Sequence, residues 1–240
     1  MLLLTFPRRW MCRWAHNIPI TDHVKRRIQL PRSEVIYYGV LDASPASHAA
    51  VKSPSSSAPF CFAYSGRLVR EKGLPILLQA AKELDRRGYK FHLKLIGDGP
   101  ERARLEALTD SLDLRSRVTF TGYLRGEELQ RSLEDVQAVV MPSICEETAG
   151  LAAMEQMMRG RLVIVSDIGG LGEVVDHAGL KFPAGNVPAL TSCLERVLNS
   201  PSLAGGIGLQ ARRRALALFS QGTMVERHVN LYEQVVSNEG

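Results

Sequence analysis

"FCFAYSGRLVREKGLPILLQAAKELDRRGYKFHLKLIG", residues 60–97, reads as a strand, a helix and a second strand. FCFAYSG and FHLKLIG are short β-type runs, the first apolar without strict alternation, which suits a strand covered on both faces, and a helix-like stretch from about 73 to 87 separates them. The same alternation continues outward. A helix is predicted at about 100–112, then RVTFTGY, a short helix near 126–134, VQAVVMPS, a helix at about 150–158, RLVIVSD, and helices beyond 186. Strands alternating with helices specify a parallel sheet, so the expected fold is α/β: a Rossmann-like parallel sheet flanked by helices.

The segment 42–59, DASPASHAAVKSPSSSAP, has the composition of a linker. It separates a first part, residues 1–41, from an α/β domain at 60–220, with a C-terminal helix expected at 221–240. The chain of 240 residues is 45% hydrophobic and 23% charged, as in soluble globular proteins, and no apolar run approaches the roughly 20 residues of a membrane helix. MLLLTFPRRWMCRW at the start has too short an apolar run for a signal peptide, and its basic residues follow that run instead of preceding it. Cys12, Cys61, Cys145 and Cys193 form no CxxC and no Cys/His cluster, which argues against a metal site or a disulfide framework. A reducing cytoplasm is the expected location. The net charge of +5 is mild, and the basic clusters at 8–32 and 212–214 read first as solvated helix faces. No nucleic-acid partner is expected, because only the first residues interleave basic and aromatic side chains.

In sheets of this kind ligands sit on the loops after the strands. Those loops are SGRLVREKG, GDGPER, TGYLRGEE, PSICEETAG and SDIGGLGE, each with a glycine that permits close backbone approach. Arg67 and Lys72 flank the first strand-to-helix turn and set two cations beside a helix N-terminus, a combination suited to a diphosphate; the ordinary alternative is a surface ion pair and a solvated lysine. GDGPER is not G-x-G-x-x-G, which disfavours a nicotinamide dehydrogenase. In EETAGLAAMEQMMRG, residues 146–160, Glu147 and Glu155 bracket Ala149, Gly150, Ala152 and Ala153. A helix starting near Gly150 offers free N–H groups to a phosphate, small side chains let a bulky ligand reach them, and a carboxylate on each side can hold sugar hydroxyls. Taken as an isolated pair, the same acids would read as a dipole partner and a solvated helix position.

The ordered series GRLVREKG, LIGDGPER, VTFTGY, PSICEETAGLAAMEQMMRG and VIVSDIGGLGEVV resembles the donor-binding, C-terminal half of the retaining nucleotide-sugar glycosyltransferases with the two-domain GT-B fold, the family 4 group, over about residues 16–237. The resemblance implies a transferase moving a sugar from a nucleotide-sugar donor to an acceptor, with the donor as substrate and no cofactor or metal. It gives catalytic roles to Glu147, on the hydroxyls of the transferred sugar, and to Arg67 and Lys72, on the diphosphate. It gives donor binding to Gly66, to the backbone of Thr148, Ala149, Gly150 and Leu151, and to Glu155 on the ribose. The other readings are a nucleotide-sugar-binding module without turnover and a nucleotide-sugar epimerase of the same fold.

The family usually has Glu-Gly-Phe-Gly where this chain has Glu147-Thr148-Ala149-Gly150, and Glu-Ala-Met-Ala where it has Glu155-Gln156-Met157-Met158. Thr148 adds bulk and a hydroxyl near the expected sugar, and Ala149 removes an aromatic wall. NIPITDHVKRRIQLPRSEVIYYGVLD is similar to the last helix and strand of the family's N-terminal domain, so residues 1–41 are expected to be a remnant of the acceptor domain, with most of that domain lacking. The partners implied are the nucleotide sugar, a separate acceptor domain or subunit, and a peripheral contact with the inner face of the membrane. Leu2, Phe6, Trp10 and Trp14 recur at four-residue spacing, an amphipathic pattern whose aromatic stripe is expected to pack on the α/β domain, on an absent domain or on a membrane surface.

Overall fold

The computed structural model describes residues 10–42 and 58–238. A short helix, α1 (Asp22–Ile28), precedes the first strand. The α/β unit then runs β1 (Phe60–Ser65), α2 (Leu74–Arg86), β2 (Phe91–Ile96), α3 (Arg102–Ser111), β3 (Val118–Gly122), α4 (Gly126–Leu133), β4 (Ala138–Met141), α5 (Leu151–Met158), β5 (Leu162–Ser166), α6 (Gly169–Val175), β6 (Leu180–Phe182), α7 (Val187–Asn199) and α8 (Ser202–Leu218). A last helix, α9 (Gln221–Asn238), follows. All strand pairs are parallel and the sheet order is β3-β2-β1-β4-β5-β6. That is the doubly wound order, with its switch point between β1 and β4.

Period-two alternation sends the side chains of one strand into two cores. Phe60, Phe62 and Tyr64 of β1 join Phe91, Leu93 and Leu95 of β2 beneath α2 and α7, while Cys61 and Ala63 face the other way with Val139, Met154, Met157, Leu171 and Phe219. Both faces are therefore covered, as the unalternating apolar runs require. On α2 the buried positions Leu74, Leu77, Leu78, Ala81 and Leu84 trace one helical face.

Two elements were not expected. Helix α6 begins GGLG, and each glycine costs a helix up to about 1 kcal/mol relative to alanine. Burial decides against propensity here: Leu171, Val174 and Val175 are fully enclosed. Strand β6 is a three-residue edge strand, too short to leave a pattern.

The strand expected in the family-like segment before residue 41 is not formed. Asn17 N donates to Arg32 O at 2.8 Å, Glu34 N to Asn17 O at 3.1 Å and Ile36 N to Pro19 O at 3.1 Å, a parallel start that stops there. Pro19 has no N–H to give Glu34 O, so the ladder also lacks a rung in its middle. The segment instead lies on the α/β unit: Val40 N donates to Phe219 O at 2.8 Å, and the Tyr37 and Phe219 rings meet edge to face at 5.1 Å.

Most of the expected linker, and Leu2 and Phe6 of the aromatic pattern, lie outside the described residues. Trp10 and Trp14 pack edge to face on each other, with ring centroids 6.3 Å apart, and stay 60% and 72% exposed. No described helix is long and apolar enough to cross a membrane.

Candidate functional site

The switch point brings the loops after β1 and β4 side by side. Between Ser65 and α2 the chain passes through Gly66, Arg67 and a 3-10 turn at Arg70–Lys72. Gly73 closes that turn with φ 64, and a Cβ there would come within 2.0 Å of the Pro142 carbonyl oxygen, so the two loops touch where no side chain fits. Two residues along each loop, Ile144 N donates to Glu71 O at 2.9 Å.

This contact puts Lys72 against Glu147. Lys72 Nζ donates to Glu147 Oε1 at 2.8 Å, and the side chains are 27% and 23% exposed. Ser143 Oγ donates to the same Oε1, and Ser143 is held in turn through its carbonyl, which accepts from Ser166 Oγ at 2.6 Å. Glu147 Oε2 is left with no partner among the described residues. Arg67 is exposed, with no side-chain hydrogen bond or ion pair among those residues. Its carbonyl accepts from Tyr64 Oη at 2.7 Å. Burial first, and then the Glu147 carboxylate, push the Tyr64 hydroxyl pKa up, while Arg67 pulls it down, so the acid and the cation act on one buried hydroxyl.

Helix α5 starts beside this cluster. Gly150 is its N-cap, at φ 61, and Ala153 N and Met154 N both donate to Gly150 O. Leu151 and Ala152 keep N–H groups with no intrahelical acceptor, next to the positive end of the helix dipole. Ala149 is nearly buried and contributes no bulk. Thr148 sits in the loop with its carbonyl taken by Thr21 Oγ1 at 2.8 Å. Glu155, on the second turn of α5, is exposed and makes no side-chain hydrogen bond or ion pair among the described residues. Of the residues singled out in the sequence, Lys72 and Glu147 are in contact, Gly66 and Arg67 share the β1 loop with Lys72, 148–151 follow Glu147 into α5, and Glu155 is exposed on that helix. Ser143, Thr21 and Tyr64 were missed. Only Ser143 left a trace, four residues before Glu147. Among the described residues no group of three His, Cys, Asp or Glu side chains is placed to hold a metal.

Residues 48–214 match the family described as glycosyl transferases group 1. The chain belongs to that family. Group 1 relatives include the alpha-D-kanosaminyltransferase of Streptomyces kanamyceticus, 30% identical over 174 residues, 72% of this chain and 45% of that protein. They also include the lipopolysaccharide core biosynthesis glycosyltransferase LpsD of Rhizobium meliloti, 30% identical over 197 residues, 81% of this chain and 55% of that one. The chain spans about half the length of the curated relatives it matches. Among solved structures, sucrose-phosphate synthase from Thermosynechococcus elongatus superposes with a TM-score of 0.78 at 27% identity over 95% of this chain and 61% of that one. Anabaena HepE, in complex with UDP and glucose, superposes at 0.76 with 19% identity over 94% of this chain and 67% of that one, which shows a common fold.

The crevice also predicts thiol reactivity. Cys145 is exposed in the loop that carries Glu147, whereas Cys61 is buried in β1 and burial pushes its thiol pKa up to about 12. Because the thiolate is the nucleophile, iodoacetamide at neutral pH should modify Cys145 first and leave Cys61 intact until the protein unfolds. Peptide mass spectrometry reads the order, and early labelling of Cys61 would contradict the buried β1.

Proposed function

We propose that the chain holds a nucleoside diphosphate sugar at the β1/β4 switch point and that the sugar passes from it to an acceptor with retention of anomeric configuration, as in family 4 transferases. The observation that carries this is the 2.8 Å contact of Lys72 Nζ with Glu147 Oε1. A cation suited to the diphosphate and an acid suited to sugar hydroxyls converge there, beside Arg67 and the start of α5. As the sugar leaves, negative charge grows on the diphosphate oxygens. Arg67, Lys72 and the free N–H groups of Leu151 and Ala152 stabilise it, a preorganised arrangement that needs no nucleophilic carboxylate. Glu147 accepts sugar hydroxyls through Oε2, and Glu155 accepts those of the ribose. Gly66 and Ala149 keep the approach open, and Thr148 faces the sugar in place of the usual glycine.

The donor is a substrate, and the scheme draws on no resident metal or cofactor. The acceptor is bound by a further domain or subunit, and contact with a membrane surface would suit a lipid-linked acceptor. HepE's UDP and UDP-glucose complexes and the hexosyl transfers named among the relatives make UDP and a panel of nucleotide hexoses the first probes.

The two glutamates separate the halves of the donor. Glu147→Gln should weaken a nucleotide sugar by about tenfold or more, since a hydrogen bond to a charged group contributes about 1.5–3 kcal/mol, and should leave UDP unchanged or slightly tighter because Lys72 is released. Glu155→Gln should weaken both ligands. Calorimetric titration of each variant with both ligands decides the matter, and identical effects on UDP from the two variants would overturn the assignment of sides.

A further inference from the structure

Thr21 is fully buried, although it lies in the segment that precedes the family match at 48–214. Its hydroxyl does two things. It accepts from Val24 N at 3.3 Å, capping α1, and donates to Thr148 O at 2.8 Å, across 127 positions of sequence. On the other side of the same loop, Gly170 N at the start of α6 donates to Glu147 O at 2.7 Å, and a Cβ on Gly170 would lie 2.4 Å from Thr148 O. The backbone of Glu147 and Thr148 is therefore clasped between the first turns of α1 and α6.

One residue ties those two helices together. Glu173 of α6 accepts from Asp22 N at 2.8 Å, His23 N at 2.7 Å and Tyr37 Oη at 2.7 Å. Farther along α1, His23 Nε2 and Arg27 Nε each stand 3.5 Å from Glu146. Residues 146, 147 and 148 are thus each met from this frame. Otherwise the loop has few tethers: Ile144 N on Glu71 O, the Ser143 bonds to Glu147 and Ser166, and Lys72 Nζ on Glu147 Oε1, the last of which holds the side chain and not the backbone. Thr21 is fully buried, and a buried hydroxyl left without its acceptor is costly, so its bond to Thr148 O selects one course for the backbone that aims the Glu147 carboxylate.

We propose that Thr21 and Glu173 are positioning residues for the donor sugar: through the Thr148 carbonyl and the α1–α6 clasp they fix the loop that presents Glu147 to sugar hydroxyls. This rests on Glu147 facing the sugar, as argued above. The clasp acts on the sugar side of the crevice, whereas Arg67 and Lys72 come from the β1 loop and lie outside it.

The test uses the full chain and three variants. Thr21→Val keeps the volume and removes the hydroxyl, Thr21→Ser restores it, and Glu173→Gln weakens the clasp without touching Thr21. Hydrogen exchange over 143–150 should speed up at least fivefold in Thr21→Val and Glu173→Gln, remain as in the wild type in Thr21→Ser, and stay unchanged in β4 throughout. In calorimetry with UDP and with the tightest nucleotide hexose of the panel, Thr21→Val should weaken the nucleotide sugar about tenfold and UDP less than twofold, with Thr21→Ser again like the wild type. Unchanged loop exchange in Thr21→Val and Glu173→Gln would overturn the proposal, as would equal weakening of both ligands, which marks a purely structural role. If Thr21→Val does not fold, Glu173→Gln carries both measurements. A wild-type chain that binds UDP but no nucleotide hexose would instead overturn the placing of Glu147 on the sugar, and the loop exchange would still report separately on the clasp.

Discussion

Replacing Arg67 and Lys72 together with alanine is expected to lower the affinity for UDP by roughly 10²- to 10⁴-fold. In the proposed site each cation supplies a charge-assisted hydrogen bond to a diphosphate oxygen, about 1.5–3 kcal/mol apiece, and every 1.4 kcal/mol is a factor of ten. Lys72 is about one quarter exposed and Arg67 more so, so solvent screening puts the result nearer the lower figure, and the wild-type affinity itself should fall as salt is added. The double variant also strips Glu147 of its cation, leaving a carboxylate held by Ser143 alone. That acid would then repel the incoming diphosphate, so of the two single variants Lys72→Ala should lose more than Arg67→Ala. Calorimetry with UDP, and with uridine as a ligand that lacks phosphate, measures both parts. Equal affinity of the double variant and the wild type for UDP would remove these side chains from the site.

A large effect on stability is expected from Gly73→Ala. At φ 64 a non-glycine residue pays about 1–3 kcal/mol in backbone strain, and the added Cβ would stand 2.0 Å from the Pro142 carbonyl oxygen, an atom of another loop's backbone. Relief requires the β1 and β4 loops to part, breaking the Ile144 N to Glu71 O bond and drawing Lys72 away from Glu147. Together these should cost about 3–5 kcal/mol and lower Tm by about 10 °C. A thermal melt followed by circular dichroism checks the figure, and a Tm within a degree or two of the wild type would mean the loops are not in register as described.

Much of the architecture was open to reading because burial on two faces leaves a mark in composition. β1, β2, β4 and β5 are apolar runs with turn residues at each end, and α2 and α5 begin within a residue or two of Gly73 and Gly150. What escaped was governed by tertiary context. GGLGEVV is helical because its apolar residues are enclosed between α5 and β5, which no local preference encodes, and the segment before residue 41 keeps only a gapped set of parallel bonds to 17–19 and packs on Phe219 instead. At the site, the spacing of Glu147 and Glu155 and the charges at Arg67 and Lys72 were visible. Their grouping on one donor came from the family resemblance and not from the local pattern, because it depends on β1 lying next to β4, an adjacency with no signature in chain order. The pairing of Lys72 with Glu147, and the reach of Thr21 to Thr148, follow from that adjacency and from the placing of α1 on α6.

That adjacency also bears on how the chain reaches this structure. β1 pairs with β2 along six residues but with β4 only at Phe62–Ala138 and Ala63–Val139. The strands on each side are linked through neighbours close in sequence, whereas the join between them closes a long loop. Contacts between distant parts of a chain form late, after the entropy of closing the loop has been overcome. The two halves of the sheet therefore gain order first, and the crevice is the seam along which they finally meet. A molecule held at once by Arg67 on one half and by Glu147 and α5 on the other acts as a stitch across that seam. It binds only the joined state, so it slows the parting of the halves and protects the chain from proteases that cut the opened form.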